Sequence, residues 1–208
     1  IAWRARVAAG DGTMDEISFF DSQKSALEIA DIYNGGEPTT LPSGAIAHYR
    51  LGEEANFTSN WLVDNSALDN YSKRSFAFDG VDDYIDCGNN SSINISGDLT
   101  LSAWVKIPSY PGDFFAIFSK IDGSTRNYEV LIRPTGQISF YTTNTTFTTS
   151  TSTVPLNTWT HVLITVNSGV TNGTKFYFNG VLDPTTGTHT VVGQTHNLNL
   201  GRRTTGDF

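Results

Sequence analysis

The chain has 208 residues, of which only 16% are charged, and a formal net charge of −8. That acidic, weakly charged composition is the wrong footprint for nucleic acid, whose phosphates demand clustered Lys and Arg, and no apolar run of about 18 residues is present to span a membrane. Cys87 is the single cysteine, which excludes an internal disulfide framework and a thiolate metal cluster and reads as a small, buried apolar residue.

Taken in chain order, residues 22–33 (SQKSALEIADIY) place Ala26, Leu27, Ile29, Ala30 and Tyr33 near helical spacing. Ser22 or Ser25 can cap the start, and Gly35-Gly36 ends the helix. Residues 37–44, with two prolines, read as a linker and as the best domain boundary. Everything after that reads as strand. In residues 98–107 (DLTLSAWVKI), Leu99, Leu101, Ala103, Val105 and Ile107 share one face. Residues 129–133 and 137–141 flank the turn Pro134-Thr135-Gly136. Residues 160–166 (THVLITV) alternate Val162, Ile164 and Val166 against a second face that is not fully polar, as in an interior strand. Asn172-Gly173 and Asn179-Gly180 then mark two further tight turns, and Asn-Gly is a strong hairpin signal. Three close hairpins in an otherwise strand-rich chain imply an antiparallel sandwich or barrel.

Five stretches carry a resemblance to a known family: Ser75-Phe-Ala-Phe-Asp-Gly-Val-Asp-Asp-Tyr-Ile85, Leu99-Thr-Leu-Ser-Ala-Trp-Val105, Asn157-Thr-Trp-Thr-His-Val162, Phe176-Tyr-Phe-Asn-Gly-Val181, and Gly12-Thr-Met-Asp-Glu-Ile17 with Ser25-Ala-Leu-Glu-Ile29 after it. Together they resemble the laminin-G-like, concanavalin-A-like jelly-roll superfamily, including the pentraxins. The resemblance implies an all-β, antiparallel jelly-roll β-sandwich with one short helix. It also exposes a departure in order. In that family the Gly-Thr-Met-Asp-Glu strand and its helix come last, whereas here they come first and residues 45–208 stop just before they are due. We therefore expect residues 1–36 to be the closing strand and helix of such a domain, 37–44 a linker, and 45–208 a jelly roll lacking its own closing strand.

Two origins fit that order, a circular permutation or a tandem array cut out of phase. Ala2-Trp-Arg with Ala8-Ala-Gly-Asp11 echoes Leu200-Gly-Arg with Thr204-Thr-Gly-Asp207, and a duplicated segment favours the array. Ile1 is also not a translation start, so the sequence reads as a piece of a longer protein. Without a closing strand, 45–208 would expose a long edge. Residues 12–20 can cover it in cis, or those of a neighbouring copy can do so in trans.

Candidate sites follow from loops and charge. Asp79, Asp82 and Asp83 flank a glycine turn and could offer Ca²⁺ several oxygens, although Asp side chains in turns also bond nearby amides. The resemblance to pentraxins implies ligand-binding loops near Asp122–Asn127 and Arg202–Asp207, with Asp122 and Asn127 as oxygen donors. Arg202 and Arg203 stand where such a double Ca²⁺ site needs acids. They suit an anionic sugar or a partner carboxylate instead, or an ion pair with an acid of the chain itself. Arg126 and Tyr128 complete the ligand-binding set. Trp104 and Trp159 belong to strand motifs and are expected in the core, with Trp3 and Trp61 as further sugar-stacking candidates. Tyr110, Phe114, Phe115 and Tyr128 are expected to be the better exposed contacts.

No chemistry for catalysis is evident. Glu-x-Asp-x-x-Glu carboxylate spacing is absent, no Ser/His/Asp set has nucleophile-elbow context, and His48, His161, His189 and His196 lack metal-ligand spacing. The expected function is a non-catalytic laminin-G-like module of a longer repetitive surface or fibre protein that recognises glycans or other surface ligands. The alternative is a structural repeat or decoration protein of a virion or microbial filament, whose partners are neighbouring copies and which polymerises by strand donation. Either fits an extracellular, cell-surface or virion-surface location.

Overall fold

A computed structural model describes residues 11–33, 43–49, 75–122 and 125–203. Among these, two antiparallel sheets face one another across an apolar core, with one short α-helix outside the larger sheet. The strands are β1 (Asp11–Phe20), β2 (Ala47–Tyr49), β3 (Phe76–Asp79), β4 (Ile85–Asp86), β5 (Leu99–Lys106), β6 (Phe115–Asp122), β7 (Thr125–Ile132), β8 (Gln137–Tyr141), β9 (Phe147–Thr153), β10 (Thr160–Val166), β11 (Thr174–Phe178), β12 (Val181–Gly187) and β13 (Asn199–Leu200). The first sheet runs β12-β11-β10-β5-β1-β2, with β3 also on β1; the second runs β4-β13-β6-β7-β8-β9. This is the expected jelly-roll β-sandwich.

Alternation along the strands decides which side chains meet between the sheets. Leu99, Leu101, Ala103, Val105 and Ile107 all enter the core, as their period of two requires. Facing them from the second sheet are Phe115, Ile117, Phe118, Tyr128, Val130, Ile132, Ile138 and Phe140. Strand β10 buries both faces. Val162, Ile164 and Val166 enter the main core, while Leu163 turns outward to Phe20, Ile29, Ile32 and Tyr177. That second, smaller cluster is where helix α1 (Ala26–Tyr33) packs.

The helix begins at Ala26, the first residue of the apolar spacing, and of the two candidate caps it is Ser25 that forms a capping box. Its Oγ accepts from the Glu28 amide (3.3 Å), and its own amide donates back to the Glu28 carboxylate (2.8 Å). Those amide and hydroxyl donors pull the Glu28 carboxyl below its ordinary value.

Residues 11–20 are an interior strand of their own chain. On one side β1 pairs with β5, through Met14↔Val105 and Phe19↔Leu101; on the other it pairs first with β3 and then with β2. Met14, Ile17 and Phe19 all reach the core, although Met14 and Ile17 are an odd number of positions apart. A bulge opposite β5 between Asp15 and Ser18 absorbs the extra residue. The two sheets are also clasped along one side. Buried Asp183 of β12 accepts from the amides of Thr151 (3.1 Å) and Ser152 (2.7 Å) of β9, and from that of Thr185 (2.9 Å). Burial alone would raise this carboxyl; hydrogen bonds from Ser152, Thr185 and Thr151 overcome it and hold the pKa at about 2.

Candidate functional site

The outer face of the β4–β9 sheet carries a continuous row of aligned side chains. Register pairs Asp86 with Asn199, Asn199 with Ser119, Ser119 with Glu129, Glu129 with Tyr141, and Tyr141 with Phe147. Directly opposed residues in antiparallel strands share a face, so the row crosses all six strands. Five gaps of roughly 4.8 Å make it about 24 Å long. Val130 and Phe140, the neighbours in sequence, point the other way into the core.

Glu129 is the centre of this row and is fully buried. Arg126 Nε donates to its Oε2 (2.9 Å), Arg203 Nε donates to its Oε1 (2.8 Å), and Ser119 Oγ donates to Oε1 (3.3 Å). The guanidinia also stack on rings. Arg126 lies 5.5 Å from the Tyr141 ring centroid, Arg202 3.3 Å from that of Tyr84, and Arg133 and Arg203 lie 5.1 and 5.6 Å from Phe114. Arg202 Nη2 donates to Asn199 Oδ1 (3.2 Å), and Arg133 Nη1 to Ser139 Oγ (3.3 Å). Tyr141 stacks on Phe147, their centroids 4.9 Å apart, and Phe147 is 49% exposed.

Gly201 places the two C-terminal arginines. Its φ is +82°, and a Cβ there would lie 2.5 Å from the Phe78 ring, so glycine is required where the chain leaves β13. Among the described residues, Arg203 meets Glu129, an acid supplied by strand β7.

The other sequence-proposed residues are spread more widely. Asp122 is exposed and lies 4.0 Å from His196 Nδ1. Nearby Lys120 is buried, with Nζ on the His196 carbonyl, and burial lowers its pKa to about 8. Asn127 is buried, its Nδ2 donating to the carbonyls of Ile95 and Val192 (both 2.9 Å). Tyr128 is buried as well, its hydroxyl on the Ile93 carbonyl (3.0 Å). Both tie β7 to the loops closing one end of the sandwich. The expectation of exposure therefore fails for Tyr128, and for Phe115, because both occupy core-facing positions. Tyr110 is exposed and Phe114 half-buried. Trp159 is 38% exposed, contrary to its expected place in the core, since it precedes the first paired residue of β10. Trp104 points outward from β5 and is half-buried between Tyr33 and His161. Trp3 and Trp61 lie outside the described residues.

At the β3 turn, Asp79, Asp82 and Asp83 are exposed, and one carboxylate oxygen from each lies within 4.8 Å of the others. Asp79 Oδ1 accepts from the amides of Val81 (2.8 Å) and Asp82 (3.3 Å), and Asp83 Oδ2 from that of Asp79 (3.1 Å). The Val81 amide chiefly keeps the Asp79 carboxyl below its ordinary value. The three carboxyl groups are thus gathered, with oxygen lone pairs left for a hard cation.

Sequence reasoning found no nucleophile pair, but the fold brings Ser102 Oγ and His161 Nε2 to 2.7 Å. Both are buried, beneath Tyr33 and Trp104, and His161 Nδ1 has no partner. Among the described residues, no third group orients the imidazole as nucleophilic catalysis would need. Glu129 itself escaped the sequence reading. Its signal was a lone acid inside the apolar run Tyr128-Glu-Val-Leu-Ile132.

A family model described as the concanavalin A-like lectin/glucanases superfamily matches residues 79–208. The chain belongs to that superfamily. The matched stretch contains the whole β4–β9 sheet and leaves β1 outside it. Among solved structures, the chain is similar to an HCR/D mutant (14% identity, TM-score 0.35, 58% of this chain and 39% of that one). It is similar to the carbohydrate binding module CBM66 from Bacillus subtilis (11% identity, TM-score 0.27, 57% and 88%). A Bacteroides ovatus protein described as carbohydrate-binding also aligns (16% identity, TM-score 0.37, 94% and 67%). The chain thus spans well under half of the first of these. No curated protein matches it significantly. No helix among the described residues is long and apolar enough to cross a membrane.

Proposed function

We propose that this lectin-superfamily member is a non-catalytic recognition module whose ligand is a glycan, bound on the outer face of the β4–β9 sheet. The observation that carries the reading is the row across that face. Its own Tyr141 and Phe147 share one surface with the rings of Tyr84 and Phe114 and with the hydrogen-bond donors of Arg126, Arg202 and Arg203 packed around it. Aromatic faces suit the apolar C–H face of a pyranose, and flanking donors fix its hydroxyls. The exposed acids at Asp79, Asp82 and Asp83, beside Tyr84, are the place for Ca²⁺ in this reading, and a surface location outside the cell suits the task. The test is a glycan array probed with the full chain. Saturable binding that falls at least tenfold in Phe147→Ala and Tyr84→Ala supports the reading; an array with no binder overturns it.

A second reading, assembly, is favoured by β1. It lies outside the family match, yet it provides Met14, Ile17 and Phe19 to the core. A strand separable in sequence but central in the sheet can be supplied by a neighbouring copy, which would make the unit one link of a fibre or decoration array. Sedimentation over a wide concentration range separates the two readings: a monomer at every concentration rules out assembly by strand donation.

A further inference from the structure

We propose that the β4–β9 face selects an anionic sugar, one bearing a carboxylate or sulfate group; this rests on the glycan reading above and narrows it. The four arginines among the described residues, Arg126, Arg133, Arg202 and Arg203, all lie on this single face, in a chain whose net charge is −8. Such segregation runs against the overall charge and concentrates the field that an anion would feel.

Two of these arginines, Arg126 and Arg202, have donors without an acceptor among the described residues. Each guanidinium offers five N–H groups in a rigid plane. The side chain of Arg126 is only 6% exposed, its Nε is on Glu129, and its Nη1 has no hydrogen-bond partner. Arg202 has an amide oxygen, Asn199 Oδ1, on Nη2; its Nε is buried and unpartnered. Buried donors without acceptors are costly, and an arriving oxyanion would relieve that cost. Glu129 displays the preference of the site, since one carboxylate there is gripped by two guanidinia and a hydroxyl. Phe147 (49% exposed) at one end of the row and Tyr84 (42% exposed), two residues before Asp86 at the other, offer rings to the uncharged part of a sugar chain. A neutral glycan would use those rings but leave the guanidinium N–H groups unanswered.

The experiment titrates the full chain with three probes: an oligogalacturonate, a sulfated galactan oligosaccharide and a neutral cello-oligosaccharide, each at low and at physiological salt. The expected result is binding of a charged probe, weakened by salt, with little binding of the neutral one. Whichever charged probe binds identifies the group as carboxylate or sulfate. Arg202→Ala, whose side chain is half-buried, should lower that affinity at least tenfold while the thermal midpoint stays near that of the parent. Arg126→Lys, which keeps the charge but loses the fork, should also weaken it. Equal binding of neutral and charged probes, unaffected by Arg202→Ala, overturns the anion proposal and leaves the glycan reading standing. Binding of no sugar, here or on the array, overturns both.

Discussion

His161 and His189 show how single residues tie this fold to pH. His161 sits under Tyr33 and Trp104, and His189 sits between the hydroxyls of Thr142 (3.2 Å) and Thr148 (2.9 Å) at the edge of Phe140. Burial lowers both imidazoles from 6.5 to about 4. The unfolded chain takes up protons below pH 6.5 that the folded chain refuses until about 4. Stability is therefore complete above 6.5 and falls as pH drops through that window, by about 3 kcal/mol for His161 alone at its end. Urea midpoints measured at pH 7 and pH 5 should differ in that direction, and His161→Gln should shrink the difference; equal midpoints would refute the assignment. The acids at the β3 turn make a second residue-scale prediction. If they hold Ca²⁺, millimolar Ca²⁺ should raise the melting temperature, and Asp79→Asn should abolish the rise; a melting curve indifferent to Ca²⁺ and chelator removes the site.

At the scale of elements, Asp183 acts as a buckle between β12 and β9. Asp183→Ala would strand the amides of Thr151, Ser152 and Thr185, and should cost about 3 kcal/mol in denaturant melts. A cost near zero would mean that water replaces the carboxylate. The hairpins were legible because Asn-Gly states its own geometry: Asn179 and Gly180 both adopt positive φ, as the tight turn between β11 and β12 demands. Strand β5 was legible because one face is continuously apolar. The β1 bulge was not, since an odd spacing between Met14 and Ile17 looks like broken alternation until β5 is placed beside it. The candidate site was half legible. Arg202 and Arg203 stand out beside a glycine, but Glu129, Tyr141 and Phe147 align with them only through register between strands far apart in sequence. The resemblance to pentraxins put Asn127 on a ligand-binding loop with Tyr128 beside it, whereas both lie within β7 and are buried.

For the whole molecule, the decisive element is β1. Burying Met14, Ile17 and Phe19 is worth about 5 to 9 kcal/mol together, comparable to the entire stability of an ordinary domain. A chain starting at residue 21 should therefore lose its cooperative thermal transition, and a peptide of residues 11–20 added in excess should restore it. A truncated chain that melts like the parent would show that β1 is dispensable. The same strand has a consequence in time. Met14 pairs with Val105, and at the other end of the fold Ile85 pairs with Leu200. Each sheet is thus joined by contacts of very high sequence separation, and contact order of that kind places folding in the slow, millisecond-to-second class. During synthesis β1 leaves the ribosome ahead of β5 and waits roughly 5 to 20 s for that strand to be made. Throughout that interval it is an apolar strand with two open edges, and any earlier-made copy of β5 nearby is a competing partner.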